Sequence, residues 1–312
     1  MASNSTEIVF EHFPLIRVFK DGHVHRFIEA NFVQPSEDPP NNVLSKDIII
    51  SQENNVSVRL YMPNNHHDNN QKLPLLIYFH GGGFCIESAC SSFYHSYLNK
   101  LVAEANVVAV SVEYRLAPEH PVTTCYEDSW SAFKWVVSNG EKTEGSDSEP
   151  WLRDHADFSR VFLAGDSAGA NIAHNMMVKA SDEESLLFET GVKVIGMALI
   201  HPYFGNGQRE ANELWDFICK DGNSSLDDPR FNAAVHAKLL EKHVCKKILI
   251  CVAEKDILRE RGVMYYEAIK NSAWSGEVDI FYTEGEEHVF HLKNPGCDNA
   301  AILLKQVAAF MK

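Results

Sequence analysis

The chain has 312 residues, 45% of them apolar and 23% charged, which supplies a large core and fits a folded globular domain. A formal net charge of -15 and a pI near 5.4 exclude a broad basic face, so neither a nucleic acid nor an anionic membrane is expected as a partner. Seven cysteines without a C-x-x-C pair give neither a disulfide framework nor a zinc site. With no basic and apolar leader at the start of the chain, they point to a cytoplasmic protein with reduced thiols.

In chain order, Arg17 to Arg26 reads as two short strands around a turn at Asp21-Gly22, and Pro35 to Asn42 as a loop. Val43 to Ser51 and Val56 to Met62 read as antiparallel strands at an edge. Leu73 to Phe79 and Val107 to Val112 are short continuous apolar runs, the pattern of strands covered on both faces. Between them Ser88 to Ala105 has helical spacing. Helices are then expected over Tyr126 to Val137, Ala168 to Ala180, Arg259 to Ser272 and Asn299 to Met311. Strands are expected over Arg160 to Ala164, Lys193 to Ile200, Lys247 to Ala253 and Glu277 to Tyr282, and a surface loop over Gly140 to Pro150. This alternation predicts an α/β fold, with a mostly parallel central sheet flanked by helices.

The apolar strand ending at Ala164 breaks into Gly165-Asp166-Ser167-Ala168-Gly169, and helix-forming residues follow. G-x-S-x-G carries meaning only in this context, where a sharp strand-to-helix turn lifts the serine hydroxyl clear of the sheet. Ser167 is therefore the candidate nucleophile. A serine hydroxyl needs a base within hydrogen-bond reach, and the base needs an orienting group. Asp256 follows the strand that ends at Ala253, and His288 lies in the loop after the strand ending at Tyr282. His291, His174 and His201 compete for the role of base, and Glu254 and Asp279 for that of acid. His80-Gly81-Gly82-Gly83 follows another strand, and its glycines let backbone N–H groups face a developing negative charge. A phosphate cradle is the alternative, but neither a following Lys-Ser/Thr nor a G-x-G-x-x-G spacing is present.

These motifs, together with Val112 to Pro121, Tyr126 to Trp130, His155 to Ser159 and Gly285 to His291, resemble the plant carboxylesterase family, in the hormone-sensitive-lipase-like branch of the α/β-hydrolase fold. The resemblance runs from about Ile16 to Phe310. It implies a single domain over 1–312 with Ser167, Asp256 and His288 as catalytic triad, and with the backbone N–H groups of Gly82, Gly83 and Ala168 as oxyanion hole. It also implies a helical cap formed by the N-terminus, about 1–35, and an insertion over about 204–240. The stretch from Phe204 to Leu249 is shorter than in typical relatives, so substrate preference does not carry over. The expected activity is serine carboxylesterase, with a small-molecule ester or related natural product as partner, no cofactor, no metal, and a homodimer left open. The family also holds specialised-metabolism enzymes that eliminate, cyclise or decarboxylate. Its hormone receptors lack the histidine that is present here as His288.

Overall fold

In the computed structural model, which describes residues 6–36, 42–64, 71–140, 148–206, 212–220 and 228–312, the chain opens with β1 (Ile8–His12), β2 (Ile16–Phe19) and β3 (Val24–Arg26). They form an antiparallel sheet in the order β1-β2-β3, with Asp21-Gly22 in the expected turn. The N-terminal part of the expected cap is thus sheet and not helix. Ile16 and Val18 point inward with Arg17 between them, a period of two, and Pro14 and Gly22 break any helical run. Residues 1–5, 207–211 and 221–227 of the expected cap, and 141–147 of the expected loop, lie outside the described residues.

The main sheet has β4 (Val43–Ser51), β5 (Val56–Pro63), β6 (Leu73–Phe79), β7 (Val108–Glu113), β8 (Ala156–Asp166), β9 (Val194–Ile200), β10 (Lys247–Ala253) and β11 (Glu277–Thr283). Their order is β11-β10-β9-β8-β6-β7-β5-β4, parallel except where β5 meets β4 and β7. Helices cover both faces, as the continuous apolar runs require. Along β6, Leu75, Ile77 and Phe79 enter one apolar layer while Leu76 and Tyr78 enter the other. The first layer is closed by α2 (Val122–Ser138), α4 (Ala168–Asp182) and α8 (Arg259–Lys270). The second is closed by α1 (Ser92–Ala105) and α10 (Asp298–Phe310). Each large side chain so buried contributes about 2 kcal/mol, which makes this strand order costly to rearrange.

Shorter helices complete the chain: α3 (Pro150–His155), α5 (Glu184–Thr190), α6 (Glu213–Ile218), α7 (Ala237–Leu240) and α9 (Phe290–Lys293). α1 begins at Ser92, later than its spacing predicts. The Ser88 hydroxyl and the Ala89 N–H both donate to Glu113, at 2.7 and 2.6 Å, and hold those residues in a turn. No described helix is long and apolar enough to cross a membrane.

Candidate active site

Ser167 sits at the end of β8 with φ 51° and ψ -117°, a conformation that side-chain-bearing residues adopt only under constraint. Two backbone bonds supply it: Ser167 N–H donates to Ile200 at 2.9 Å, and Tyr203 N–H donates to the Ser167 carbonyl at 3.0 Å. The flanking glycines are a packing requirement. A Cβ at Gly165 would lie 2.4 Å from the Gly169 carbonyl, and one at Gly169 would lie 2.0 Å from the Phe79 oxygen. Both are shorter than any tolerable contact, so α4 can start against β6 and β8 only with hydrogen at these positions.

The loop after β11 brings His288 to the serine, with Nε2 2.9 Å from Ser167 Oγ. Asp256, after β10, lies with Oδ2 2.8 Å from His288 Nδ1, and its Oδ1 accepts the Leu258 N–H at 2.7 Å. Burial alone would raise the proton affinity of Asp256. The His288 hydrogen bond and charge and the Leu258 N–H outweigh it and hold the carboxyl below its ordinary value, so it stays an acceptor. The three side chains thus form one chain of hydrogen bonds that can move a proton from hydroxyl to imidazole.

The competing side chains lie elsewhere or serve other ends. His174 is buried against the Tyr265 hydroxyl at 3.0 Å. His291 is buried beside Tyr97, Asp279 is exposed on β11, and Glu254 accepts the Gly285 N–H at 2.7 Å. His201 stands next to Asp256 and His288, and burial pushes its pKa well down, so its neutral Nδ1 accepts the Val289 N–H at 3.2 Å. It thereby anchors the residue that follows His288, a role the sequence does not reveal. His201, Asp256 and His288 are close enough to share a metal ion. Both ring nitrogens of His288, however, are already engaged, Nδ1 by Asp256 and Nε2 by Ser167, and His201 accepts at Nδ1 and so carries its proton on Nε2, an arrangement suited to proton transfer rather than ligation.

The glycine loop after β6 lies beside this chain because β6 and β8 are neighbours, with Phe79 opposite Gly165. Gly82 and Gly83, both at positive φ, line one cavity with Ser167, and no described group takes the N–H of either. Ala168 is the first residue of α4, where an N–H has no partner within the helix. The loop is fixed from below. Gly81 N–H donates to the Tyr94 hydroxyl at 2.7 Å, which donates to Asp166 Oδ2 at 2.8 Å, and Tyr78 donates to Asp166 Oδ1 at 2.8 Å. Burial pushes the Asp166 carboxyl up to about 6 even though both tyrosines pull it down. On the other side of the loop the Tyr114 ring stacks on His80 at 4.1 Å, and its hydroxyl donates to the His80 carbonyl at 2.7 Å. The residue between the glycine and the serine of the motif is therefore tied to the glycine loop, a connection that neither motif shows alone.

The cavity over Ser167 has a volume of about 460 Å³ and is largely hydrocarbon. Phe13, Pro14 and Leu15 from the first sheet and Leu214 from α6 close its outer side. Those two segments meet where the rings of Phe10 and Phe217 stack at 3.8 Å and within 3° of parallel.

The sequence matches the family described as alpha/beta hydrolase fold over residues 76–292 and the Carboxylesterase family over residues 28–119. It is 41% identical to a 2-hydroxyisoflavanone dehydratase of Glycine max, over 98% of this chain and 99% of that protein. It is 43% identical to probable carboxylesterase 1 of Arabidopsis thaliana, over 98% of each. Among solved structures it is similar to a hyperthermophilic esterase of the archaeon Pyrobaculum calidifontis, with 26% identity and a TM-score of 0.68, over 86% of this chain and 85% of the other.

Proposed function

The chain belongs to the carboxylesterases of the α/β-hydrolase fold, and on that premise we propose that it hydrolyses a small-molecule carboxylic ester through an acyl-enzyme formed on Ser167. The observation that carries this reading is the continuous chain from Ser167 Oγ through His288, at 2.9 Å, to Asp256, at 2.8 Å. Ser167 Oγ attacks the ester carbonyl while His288 Nε2 takes its proton, and Asp256 holds the imidazole by Nδ1 and stabilises its charged form. The carbonyl oxygen becomes an oxyanion facing the N–H groups of Gly82, Gly83 and Ala168. His288 returns the proton to the departing alcohol, and a water molecule activated by the same imidazole then releases the acid. The first sheet and α6 act as a cap that excludes bulk water from these steps. Seven cysteines, none joined in a disulfide, fit a reducing compartment such as the cytoplasm.

The test is turnover of p-nitrophenyl acetate by wild type and Ser167→Ala, together with mass-spectrometric location of an organophosphonate label. Label on any other residue, or full activity in the variant, would overturn the assignment. Similarity to the soybean dehydratase favours a second reading, in which His288 and the oxyanion hole promote an elimination. That reading predicts a natural substrate consumed without a serine-bound intermediate, so its conversion would survive in Ser167→Ala.

A further inference from the structure

Glu87 is out of place in the cavity over Ser167. The wall around it is mainly hydrocarbon, from Phe13, Leu15, Ile86, Phe93, Leu214 and Ile257 among others, where a carboxyl group is costly unless something meets it. Little in the protein does. Its Oε2 is buried and accepts no hydrogen bond among the described residues, and the Ser91 hydroxyl, also without a partner in bonding geometry, only partly relieves it. Burial raises its pKa, and no cationic side chain is among the groups that act on it, although His12 and Lys293 line the same cavity. The backbone is committed as well. Glu87 has φ 70°, a left-handed conformation that an ordinary residue avoids, at the end of a turn in which Cys85 and Ile86 N–H both donate to the Gly82 carbonyl at 3.0 Å. The loop that carries Gly82 and Gly83 therefore also places a half-buried carboxyl group in the cavity wall, with one of its oxygens unmet.

We infer that Glu87 is the specificity-determining acceptor of this cavity, and that the natural ester carries on an otherwise apolar body a hydroxyl or amine donor that Glu87 receives. The inference rests on Ser167 as the esterase nucleophile. A ligand without the donor leaves the carboxyl buried and unmet, whereas one with it satisfies a group whose desolvation the fold has already borne, a difference of about tenfold or more in affinity or kcat/KM.

The experiment uses p-nitrophenyl 3-phenylpropanoates whose ring bears a methyl, hydroxyl or aminomethyl group at the ortho, meta or para position. The readout is the ratio of kcat/KM for donor over methyl at each position, in wild type, Glu87→Leu and Glu87→Met. The same esters are then titrated against Ser167→Ala, and against Ser167→Ala carrying Glu87→Met, so that the ratio of Kd values is read without turnover. Expected is a preference of about tenfold or more for a donor over methyl in at least one position, falling to near one when Glu87 is replaced. Preference for hydroxyl identifies a neutral donor, and preference for aminomethyl a cationic one. Methyl favoured at every position, or a donor preference that persists in the folded Leu or Met variant, would overturn the inference. Wild type that turns over no ester while the Kd ratios behave as expected would remove the esterase reading and leave Glu87 as the ligand's acceptor. Turnover with flat ratios would do the reverse.

Discussion

Replacing Tyr94 by Phe removes one oxygen atom and separates two functions of the buried network. The ring stays in place, but Gly81 N–H loses its acceptor at 2.7 Å and Asp166 Oδ2 loses a donor at 2.8 Å, both in the interior. Each buried group left unmet costs about 1 to 3 kcal/mol, so the variant should lose roughly 3 kcal/mol of stability. Tyr78→Phe is the control, because it removes the donor at 2.8 Å to the other oxygen of the same carboxylate and leaves the glycine loop untouched. It should lose about 2 kcal/mol. Catalysis should separate the two. Loss of a whole oxyanion donor lowers kcat by about 10²- to 10³-fold, and a loosened loop that still offers its donors should lower it roughly 10- to 100-fold. Tyr94→Phe should therefore lose kcat on p-nitrophenyl acetate by that factor with KM little changed, while Tyr78→Phe stays within about threefold of wild type. Urea unfolding and steady-state kinetics at pH 8 read both quantities. If the two variants lose kcat equally, the Tyr94 hydroxyl does not hold the loop and the reasoning fails.

Asp166→Asn removes a titration that the fold perturbs. The folded carboxyl sits at about 6 against an ordinary 3.8, so the folded state binds the proton more tightly. Wild type gains stability through this group as pH falls from about 6 towards 4 and loses it as pH rises back through the folded value. The difference in unfolding free energy between wild type and Asp166→Asn should therefore be larger at pH 4.5 than at pH 7 by about 2 kcal/mol, and a difference that does not change with pH would contradict the burial argument. Asp256→Asn should keep the geometry and lower kcat by about 10²- to 10⁴-fold through the wrong imidazole tautomer, and a loss under tenfold would remove Asp256 from the triad. Gly169→Ala drives a methyl to 2.0 Å from the Phe79 oxygen and should abolish folding or cost more than about 3 kcal/mol, whereas Gly296→Ala, which meets nothing within 4 Å, should melt within about 2 °C of wild type.

Long-range order in the fold was readable because it rests on strong, repetitive signals. Continuous apolar runs marked β6 and β7, the repeating alternation of strand and helix placed β9 and β10, and the break at Gly165 with helix-formers after it located the turn that holds Ser167. What the sequence left unread is short or many-bodied. α6 has six residues and α9 four, too few for a helical period to show, and α6 packs on a partner strand at the far end of the chain. Asp166 and Tyr94 are separated by 72 residues, and nothing in either segment announces the other. An aspartate beside the candidate nucleophile at the end of a buried strand was the available hint, since a carboxyl there must find donors. Glu87 gave none, because a single acid just after a glycine loop looks like surface.

The strand order divides this enzyme into a fixed part and an adjustable one. Ser167 and the glycine loop leave from adjacent parallel strands whose register is locked residue by residue from Leu75 opposite Val161 to Phe79 opposite Gly165, so neither can shift without the other. The imidazole arrives from β11, at the far edge of the sheet and separated from β8 by β9 and β10. Sequence change in that outer limb can swing His288, lengthen its loop or exchange its neighbours while Ser167 Oγ and the Gly82 and Gly83 N–H groups keep their spacing. New reactions on this scaffold are therefore most accessible through mutations between β10 and α10, with the β6–β8 pair left as the constant reference against which they are tried.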